Sequence, residues 1–135
     1  SNSQTADWKT YTDNVIGLQF QYPSTWKSPR TTGSYTGVNP YSVVIRGTFN
    51  VYVSTTTTSD AFISNLNKNS RKEDVVVGGQ KGIKIYFPDE SEMFKGTKAI
   101  FIQFPNRTVV INYADEGSEI NQINEQLLLT FKFNP

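Results

Sequence analysis

Two residue types with versatile chemistry are missing from this chain of 135 residues, which contains no cysteine and no histidine. Without cysteine it cannot form a disulfide, a thiol nucleophile or a zinc–thiolate site. Without histidine it lacks the commonest general base and a frequent metal ligand. These absences remove the usual routes to catalysis, so we expect a protein that is not an enzyme and that uses no cofactor.

A strong charge of one sign and long hydrophobic runs are missing too. Thirteen basic and twelve acidic residues leave a net charge of +1, which provides no overall field to attract nucleic acid or anionic lipid. No apolar run reaches the roughly eighteen residues that a membrane-spanning helix needs. The length fits one domain with a single core. We therefore expect one domain over residues 7–135 that binds no nucleic acid and has no transmembrane segment.

The N-terminal residues give little information about the compartment. Ser1-Asn2 is typical of the remnant of a cleaved expression tag, and we expect residues 1–6 to be a tag remnant and a disordered segment. A basic stretch followed by an apolar core is not found in the first residues, so the sequence itself contains no signal peptide. An export signal or a lipid-anchoring cysteine would have to lie upstream of residue 1.

Strand patterns dominate what is present. Apolar residues alternate with glutamines over Leu18–Tyr22, which predicts a strand with one buried face. Residues 8–12 are expected to pair with it as a hairpin, and Pro23 to end it. Further strands are predicted at residues 43–45 and 49–53 around Gly47, at 75–77 and 83–87 around Gly78-Gly79, and at 99–104 and 108–113. The last two are apolar at nearly every residue, which is typical of central strands covered on both faces.

Two helices are predicted between these strands. Ser59 is suited to cap a short helix whose apolar stripe is Phe62, Ile63 and Leu66, and the polar run 67–74 is expected to end it. Ser118 is suited to cap a second helix, with Ile120, Ile123, Leu127 and Leu128 on its inner side. Phe131 and Phe133 alternate around Lys132 as a closing strand. This order predicts an α+β fold in which helices pack on a mainly antiparallel sheet.

Three stretches of the sequence resemble a known family. Residues 11–27 (YTDNVIGLQFQYPSTWK), 77–85 (VGGQKGIKI) and 126–133 (QLLLTFKF) resemble the opening, the glycine-marked hairpin and the terminus of PsbP-like domains in small bacterial exported lipoproteins. The resemblance implies an α/β/α sandwich, a fold shared with the PsbP extrinsic subunit of photosystem II. It also implies an extracytoplasmic protein, either secreted or lipid-anchored. The metal sites of the plant subunit rest partly on histidine, which this chain lacks.

A polar segment, residues 27–41, is predicted to be a long loop that contacts a partner. No acidic residue occurs between Asp13 and Asp60, so the basic residues of this region should form a mildly basic edge. Tyrosines on the loop add amphipathic contact area. The predicted contact residues are Lys27, Arg30, Tyr35, Tyr41 and Arg46. From these features we expect a non-catalytic extracytoplasmic module that binds a protein partner at the cell surface or assembles with it.

An alternative function is the binding of a small ligand or a metal ion of the calcium type. Asp89, Glu90 and Glu92 form one acidic cluster, and Asp115, Glu116 and Glu119 form another. Paired carboxylates can ligate calcium, but the spacing matches no EF-hand loop. Solvated turn charges, or charges near a helix N-terminus, explain the same residues. This alternative would require an acidic rim or a cleft between the sheet and a helix.

Overall fold

The computed structural model describes residues 7–34, 40–64, 70–88 and 96–134, and for Phe62 the backbone alone. The predicted tag remnant 1–6, Tyr35, and the cluster of Asp89, Glu90 and Glu92 lie outside the described residues. The elements are β1 (Lys9–Asp13), β2 (Leu18–Tyr22), β3 (Arg30–Thr32), β4 (Ser42–Ile45), β5 (Phe49–Ser54), α1 (Ser59–Ser64), β6 (Arg71–Val77), β7 (Gln80–Tyr86), β8 (Thr97–Phe104), β9 (Arg107–Ala114), α2 (Ser118–Leu129) and β10 (Lys132–Phe133).

The strands form two sheets. The larger sheet has seven strands in the order β3-β4-β5-β9-β8-β7-β6, and the smaller has three in the order β1-β2-β10. Every pair of neighbouring strands is antiparallel. The mainly antiparallel arrangement predicted from the hairpin spacing is therefore confirmed.

One face of the larger sheet, the covered face, carries the main hydrophobic core. Side chains of β4, β5, β8 and β9 pack there against β2, the end of α2 and Phe131. Three phenylalanines meet at its centre, since the ring of Phe131 lies 5.3 Å from that of Phe20 and 6.4 Å from that of Phe49. Both the smaller sheet and α2 thus contribute to covering this face.

The opposite face of the larger sheet, the open face, carries a smaller cluster. Its buried residues are Ile85, Phe87, Ala99, Phe101 and Val110, and Ile63 of α1 packs against them. The prediction that β8 is covered on both faces is confirmed, because Ile100 and Ile102 belong to the main core while Phe101 belongs to this cluster. No helix in the described ranges is long and apolar enough to cross a membrane.

The expected α/β/α sandwich is found only in part. Helices do lie on both faces of the larger sheet, but the three-stranded sheet shares the covered face with α2. On the open face, the described part of α1 has only six residues. Within the described ranges, α1 therefore covers a small part of the open face.

Two segments that were predicted to be irregular contain strands. Within the predicted 27–41 loop, Arg30–Thr32 forms β3 and pairs with β4 at the edge of the larger sheet. The polar run that was expected to end the first helix contributes Arg71–Asp74 to β6. Both segments are polar and exposed. Their strand character comes from pairing with a neighbouring strand, which a local hydrophobic pattern does not reveal.

Both predicted helix caps were assigned to the wrong residue. Thr58, not Ser59, holds the first turn of α1, because its hydroxyl accepts a hydrogen bond from the Ala61 N–H at 3.2 Å. Gly117, not Ser118, is the N-cap of α2, and it provides no side-chain cap. Gly117 has a φ of 95°, a conformation that glycine adopts readily. In each case the cap lies one residue before the predicted one.

Candidate functional site

Tyr41, a predicted contact residue, is held by the core of the protein. Its hydroxyl donates to Oδ2 of Asp13, a carboxylate that is only 4 % exposed. Asp13 also accepts from the Ile16 N–H at 2.8 Å and from the Tyr11 hydroxyl at 3.3 Å. Burial and the bond to Asp13 raise the pKa of Tyr41 well above its usual value. Tyr41 therefore joins the end of the 27–41 segment to the turn between β1 and β2.

Arg46 lies in the turn between β4 and β5 and is also engaged within the chain. It has a φ of 58°, which is rare for a residue other than glycine. Its guanidinium lies 5.0 Å from the ring centroid of Trp26 and 3.3 Å from a carboxylate oxygen of Glu116. The Thr48 hydroxyl donates to the same carboxylate at 2.8 Å. These contacts fix the Arg46 side chain across the turn.

Of the remaining predicted contact residues, Lys27 and Arg30 are exposed, and Tyr35 lies outside the described residues. Lys27 follows Trp26 in sequence and therefore lies near Arg46. Arg30 pairs with Val44, which points to the open face, whereas the ring of Tyr41 packs against the main core. Neither Lys27 nor Arg30 forms an ion pair with a described residue. The contact surface predicted from these residues stays a prediction.

A different surface, which the sequence did not indicate as a site, contains an open cavity. An open cleft of about 590 Å³ lies on the open face between α1 and the hairpin of β6 and β7. We call it the α1 cleft. Its lining residues are Ser59, Asp60, Asp74, Val75, Val76, Lys81, Gly82, Ile83, Phe101 and Gln103.

Gln103 forms a rigid wall of this cleft. Its amide oxygen accepts from the Ser59 N–H at 2.8 Å and from the Thr108 hydroxyl at 2.9 Å. Its amide nitrogen donates to the backbone oxygens of Phe104 and Arg107. With these four bonds the side-chain amide has used its hydrogen-bonding capacity, so Gln103 positions the start of α1 and leaves other residues to contact a ligand.

Ser59 contributes an unsatisfied polar group to the cleft. Only 7 % of the residue is exposed, and its hydroxyl has no hydrogen-bond partner among the described residues. Because Thr58 provides the helix cap, the Ser59 hydroxyl is left without that role. A buried hydroxyl without a partner costs about 1–3 kcal/mol. The oxygen itself is almost fully buried, so a molecule in the cleft would reach it only if the start of α1 moved.

The rim of the cleft carries charges and one exposed apolar side chain. Asp60, Asp74 and Lys81 line it, and none of them forms an ion pair with another residue in the described ranges. Val76 is 68 % exposed, although it is a large hydrophobic residue. An apolar floor with uncompensated charges and an unpartnered hydroxyl is the usual composition of a binding surface.

A second polar cluster, on the covered face, is satisfied within the chain. Lys84 is 8 % exposed, and its ammonium lies 5.7 Å from the ring centroid of Tyr113 and 3.9 Å from a carboxylate oxygen of Glu125. Burial, together with Glu125, raises the pKa of Tyr113 to about 12. Burial disfavours the charge on Lys84, but Tyr113, Glu125 and Tyr86 outweigh it and raise the Lys84 pKa. This cluster is a compensated internal network.

The acidic residues do not form a metal site within the described ranges. No group of three or more potential acidic ligands occurs there. Asp115 accepts from the Asn121 side chain at 2.7 Å and from the Gly117 N–H at 3.1 Å, and these bonds lower its pKa. Glu116 is held by Arg46. Asp115 and Glu116 therefore stabilise the start of α2 and the neighbouring turn.

Comparison with known proteins provides a resemblance in fold. No protein-family model matches the chain. No curated protein matches it either. Among solved structures, the solution structure of cyanobacterial PsbP from Synechocystis sp. PCC 6803 is 13 % identical, with a TM-score of 0.49, and the match covers 99 % of this chain and 96 % of that one.

A second solved structure, a crystal structure from Bacteroides thetaiotaomicron, is 12 % identical with a TM-score of 0.43. The match covers 96 % of this chain but 49 % of the other, so the present chain spans about half the length of that protein. Both similarities describe the fold alone. The functional argument therefore rests on the α1 cleft.

Sequence reasoning did not identify the α1 cleft, although two signals for it were present. Residues 54–60 form an unusual run of hydroxyl residues that ends in an aspartate. Val75–Val77 is apolar at three consecutive positions, so at least one of these valines had to face away from the core if the segment is a strand. The first signal was interpreted as a helix cap and the second as one side of a hairpin.

Proposed function

We propose that the protein is a non-catalytic binding module whose partner is a protein and whose contact surface is the α1 cleft. The observation that carries this proposal is the combination of exposed Val76 with the rim charges of Asp60, Asp74 and Lys81, which form no ion pair with a described residue, in one open cleft. Protein contacts typically combine an apolar centre with polar groups that find partners in the complex. The cleft offers both on one surface.

The charges at the rim of the cleft also support a protein partner. Asp60, Asp74 and Lys81 form no ion pair with a described residue, so they are available for pairing across an interface.

The extracytoplasmic setting, whether secreted or lipid-anchored, is part of the same proposal and comes from the sequence resemblance. A binding module at the cell surface fits a domain without cysteine or histidine chemistry. The test is direct, because growth of the source cell with a radiolabelled fatty acid would label a lipid-anchored form of the protein. Recovery of the unlabelled protein from the cytoplasmic fraction would contradict this part of the proposal.

A photo-crosslinking experiment tests the contact surface. A photoreactive phenylalanine analogue is placed at Val76 in the cleft, at Leu129 on α2, or at Lys27 in the predicted basic patch. Leu129 is the matched control, since it is another apolar residue and is 83 % exposed. We expect the Val76 position to give one dominant protein adduct in the source cell. Adducts from Lys27 with none from Val76 would instead assign the contact to Lys27, Arg30, Tyr35, Tyr41 and Arg46.

Once the partner is identified from the adduct, substitutions measure the contribution of the cleft. Val76→Asp places a charge at the centre of the surface, and we expect it to weaken partner binding at least tenfold. Leu129→Asp makes the same change on α2 and should leave binding unchanged. Equal binding by both variants would exclude the α1 cleft as the contact surface.

A small ligand is the second candidate occupant, because the cleft volume lies within the usual range for ligand pockets. In that case, a small molecule from a source-cell extract should raise the melting temperature of the wild type but not that of Val76→Asp. The calcium alternative based on Asp89, Glu90 and Glu92 is tested by calorimetric titration with calcium. Absence of heat and of a thermal shift would remove it.

A further inference from the structure

The hairpin of β6 and β7 ends the larger sheet with a strand that is both long and exposed. All seven residues of β6 pair with β7 on one side, from Arg71 opposite Tyr86 to Val77 opposite Gln80. On its other side, no strand among the described residues pairs with β6. An edge strand presents a row of backbone donors and acceptors that an extended chain can pair with.

The side chains of β6 differ between the two faces of the sheet. On the covered face, Arg71 lies 3.9 Å over the ring of Tyr86, and Glu73 accepts the Tyr86 hydroxyl proton at 2.9 Å. Lys72, Asp74 and Val76 alternate on the open face, opposite Ile85, Ile83 and Lys81 of β7. No ion pair with a described residue engages Lys72 or Asp74. On the open face, β6 therefore presents a basic, an acidic and an apolar side chain in turn, and the two charges are not paired with a described residue.

From this arrangement we propose that the partner binds by adding an extended segment as an antiparallel strand to β6, with acidic, basic and apolar side chains opposite Lys72, Asp74 and Val76. This inference rests on the proposed function and names the partner chemistry of the α1 cleft, since Asp74 and Val76 line that cleft. In strand addition, backbone hydrogen bonds supply affinity and alternate side chains supply specificity.

The antiparallel direction follows from the existing sheet. Every neighbouring pair in it is antiparallel, and antiparallel pairs are slightly more stable per residue than parallel ones. Read from its N-terminus, the partner segment is therefore expected to carry an apolar, then a basic, then an acidic residue at alternate positions. The intervening residues would point to the covered face.

A second copy of the chain fits this edge less well than another protein does. Residues directly opposite each other in a sheet point to the same face, so a symmetric antiparallel pair of β6 strands must place one residue opposite itself. If the charged half of β6 pairs with the same half of a second copy, then Lys72, Glu73 or Asp74 lies opposite the same residue of that copy. Such pairs are repulsive, and charges of this kind are a common protection of edges against self-association.

A synthetic peptide and its control test the proposed pattern. The seven-residue peptide Thr-Val-Thr-Lys-Thr-Glu-Thr presents Val, Lys and Glu to Val76, Asp74 and Lys72 when it runs antiparallel to β6. The control peptide exchanges Lys and Glu and so has the same composition. Both are titrated into isotope-labelled protein and followed by amide chemical shifts. Since each cross-strand charge pair contributes about 0.2–1 kcal/mol, we expect binding to differ by about three- to tenfold in favour of the first peptide.

A protein variant with the two charges exchanged provides the reciprocal test with the same peptides. Lys72→Asp combined with Asp74→Lys keeps the net charge and changes two exposed side chains, so the fold should be retained, which circular dichroism checks. This variant is expected to prefer the control peptide by a similar factor. An unchanged preference would overturn the proposed pairing.

Backbone methylation distinguishes strand addition from simple occupation of the cleft. In an antiparallel pair, the N–H groups of alternate residues point to the neighbouring strand. We therefore expect N-methylation of one set of alternate peptide residues to abolish binding, whereas methylation of the other set leaves it nearly unchanged. Four outcomes would each overturn the inference. Both methylated sets could have equal effects, or neither unmodified peptide could bind. The amide chemical-shift changes could be centred away from β6, or the free protein could form a stable dimer in sedimentation. If these outcomes occur while Val76→Asp still weakens partner binding, the α1 cleft remains the contact surface without strand addition.

Discussion

The two faces of the seven-stranded sheet differ in how completely their side chains are satisfied. On the covered face, aromatic rings interlock with β2 and α2, and even the buried Lys84 has aromatic and carboxylate neighbours. On the open face, Val76 is exposed and the Ser59 hydroxyl has no hydrogen-bond partner among the described residues. Substitutions on the covered face should therefore affect stability, and substitutions around the α1 cleft should affect binding.

The same contrast separates the α1 cleft from the basic patch predicted from the sequence. Tyr41 and Arg46 have partners within the chain, in Asp13 and Glu116. Asp60, Asp74 and Lys81 around the cleft have no such ion-pair partners among the described residues. Lys27 and Arg30 of the patch also form no ion pair with a described residue, so the contrast concerns Tyr41 and Arg46 alone.

The largest effect on stability is expected from Phe131→Ala. The ring is 2 % exposed and contacts both Phe20 and Phe49. Truncation of a phenylalanine in such a core costs about 3–5 kcal/mol. Urea unfolding measures this loss, and Val76→Ala is the control on the open face, where we expect a change below about 0.5 kcal/mol. Similar losses for the two variants would remove the distinction between the faces.

Asp13→Ala should have the next largest effect. It leaves the Ile16 N–H and the hydroxyls of Tyr11 and Tyr41 without their common acceptor. Hydrogen bonds to a charged group contribute about 1.5–3 kcal/mol, and we expect a loss in that range. Asp13→Asn retains an acceptor for the Ile16 N–H and should lose less. If both variants unfold at the wild-type urea concentration, Tyr41 is not held as described.

Substitutions in the turn between β6 and β7 should have a smaller effect on stability, and its two adjacent glycines provide a matched control. Gly78 and Gly79 both have positive φ values, of 56° and 79°. A Cβ on Gly78 would lie 2.9 Å from the backbone oxygen of Phe131, whereas a Cβ on Gly79 would meet nothing within 4 Å. Both alanine variants bear the backbone strain of about 1 kcal/mol, and Gly78→Ala should lose about 1 kcal/mol more through overpacking. Equal melting temperatures for the two variants would show that Gly78, just after β6, is not packed against Phe131.

Ser59→Ala should have the smallest effect on stability, and its sign is informative. It removes a buried hydroxyl that has no partner and inserts the best helix former. We expect a gain of about 1 kcal/mol in the free energy of unfolding, at the low end of the cost of an unpartnered buried hydroxyl. Thr58→Ala, one residue earlier, removes the cap of α1 and should lose about 1 kcal/mol. If Ser59→Ala instead lowers the melting temperature more than Thr58→Ala does, the Ser59 hydroxyl has a hydrogen-bond partner in the free protein.

The hydrophobic pattern predicted most of the fold but not the site. Alternation over Leu18–Tyr22 and the continuous apolar runs of β8 and β9 identified strands because those residues face cores. β3 and the first half of β6 are polar, so their strand character depends on neighbours that are distant in the sequence. Both caps were displaced by one residue, since several adjacent residues are chemically able to cap a helix.

The candidate site could not be predicted because it depends on what is left unpaired after folding. Thr58 and Ser59 are adjacent and both carry a hydroxyl. Yet Thr58 caps α1, whereas the Ser59 hydroxyl has no partner among the described residues. Arg46 in the turn between β4 and β5 and Lys81 in β7 are both basic, yet only Arg46 has an ion-pair partner among the described residues. Such differences arise from tertiary geometry, which no local pattern contains.

The most direct test of the proposed binding surface is amide hydrogen exchange of the full chain with and without the partner identified by crosslinking. Exposed edge strands exchange quickly because their outward N–H groups are not protected. We predict that the partner slows exchange in β6, with smaller changes in β7 and α1, and leaves residues 26–46 unchanged. Protection of residues 26–46 without any change in β6 would contradict the assignment of the α1 cleft and its edge strand as the binding surface.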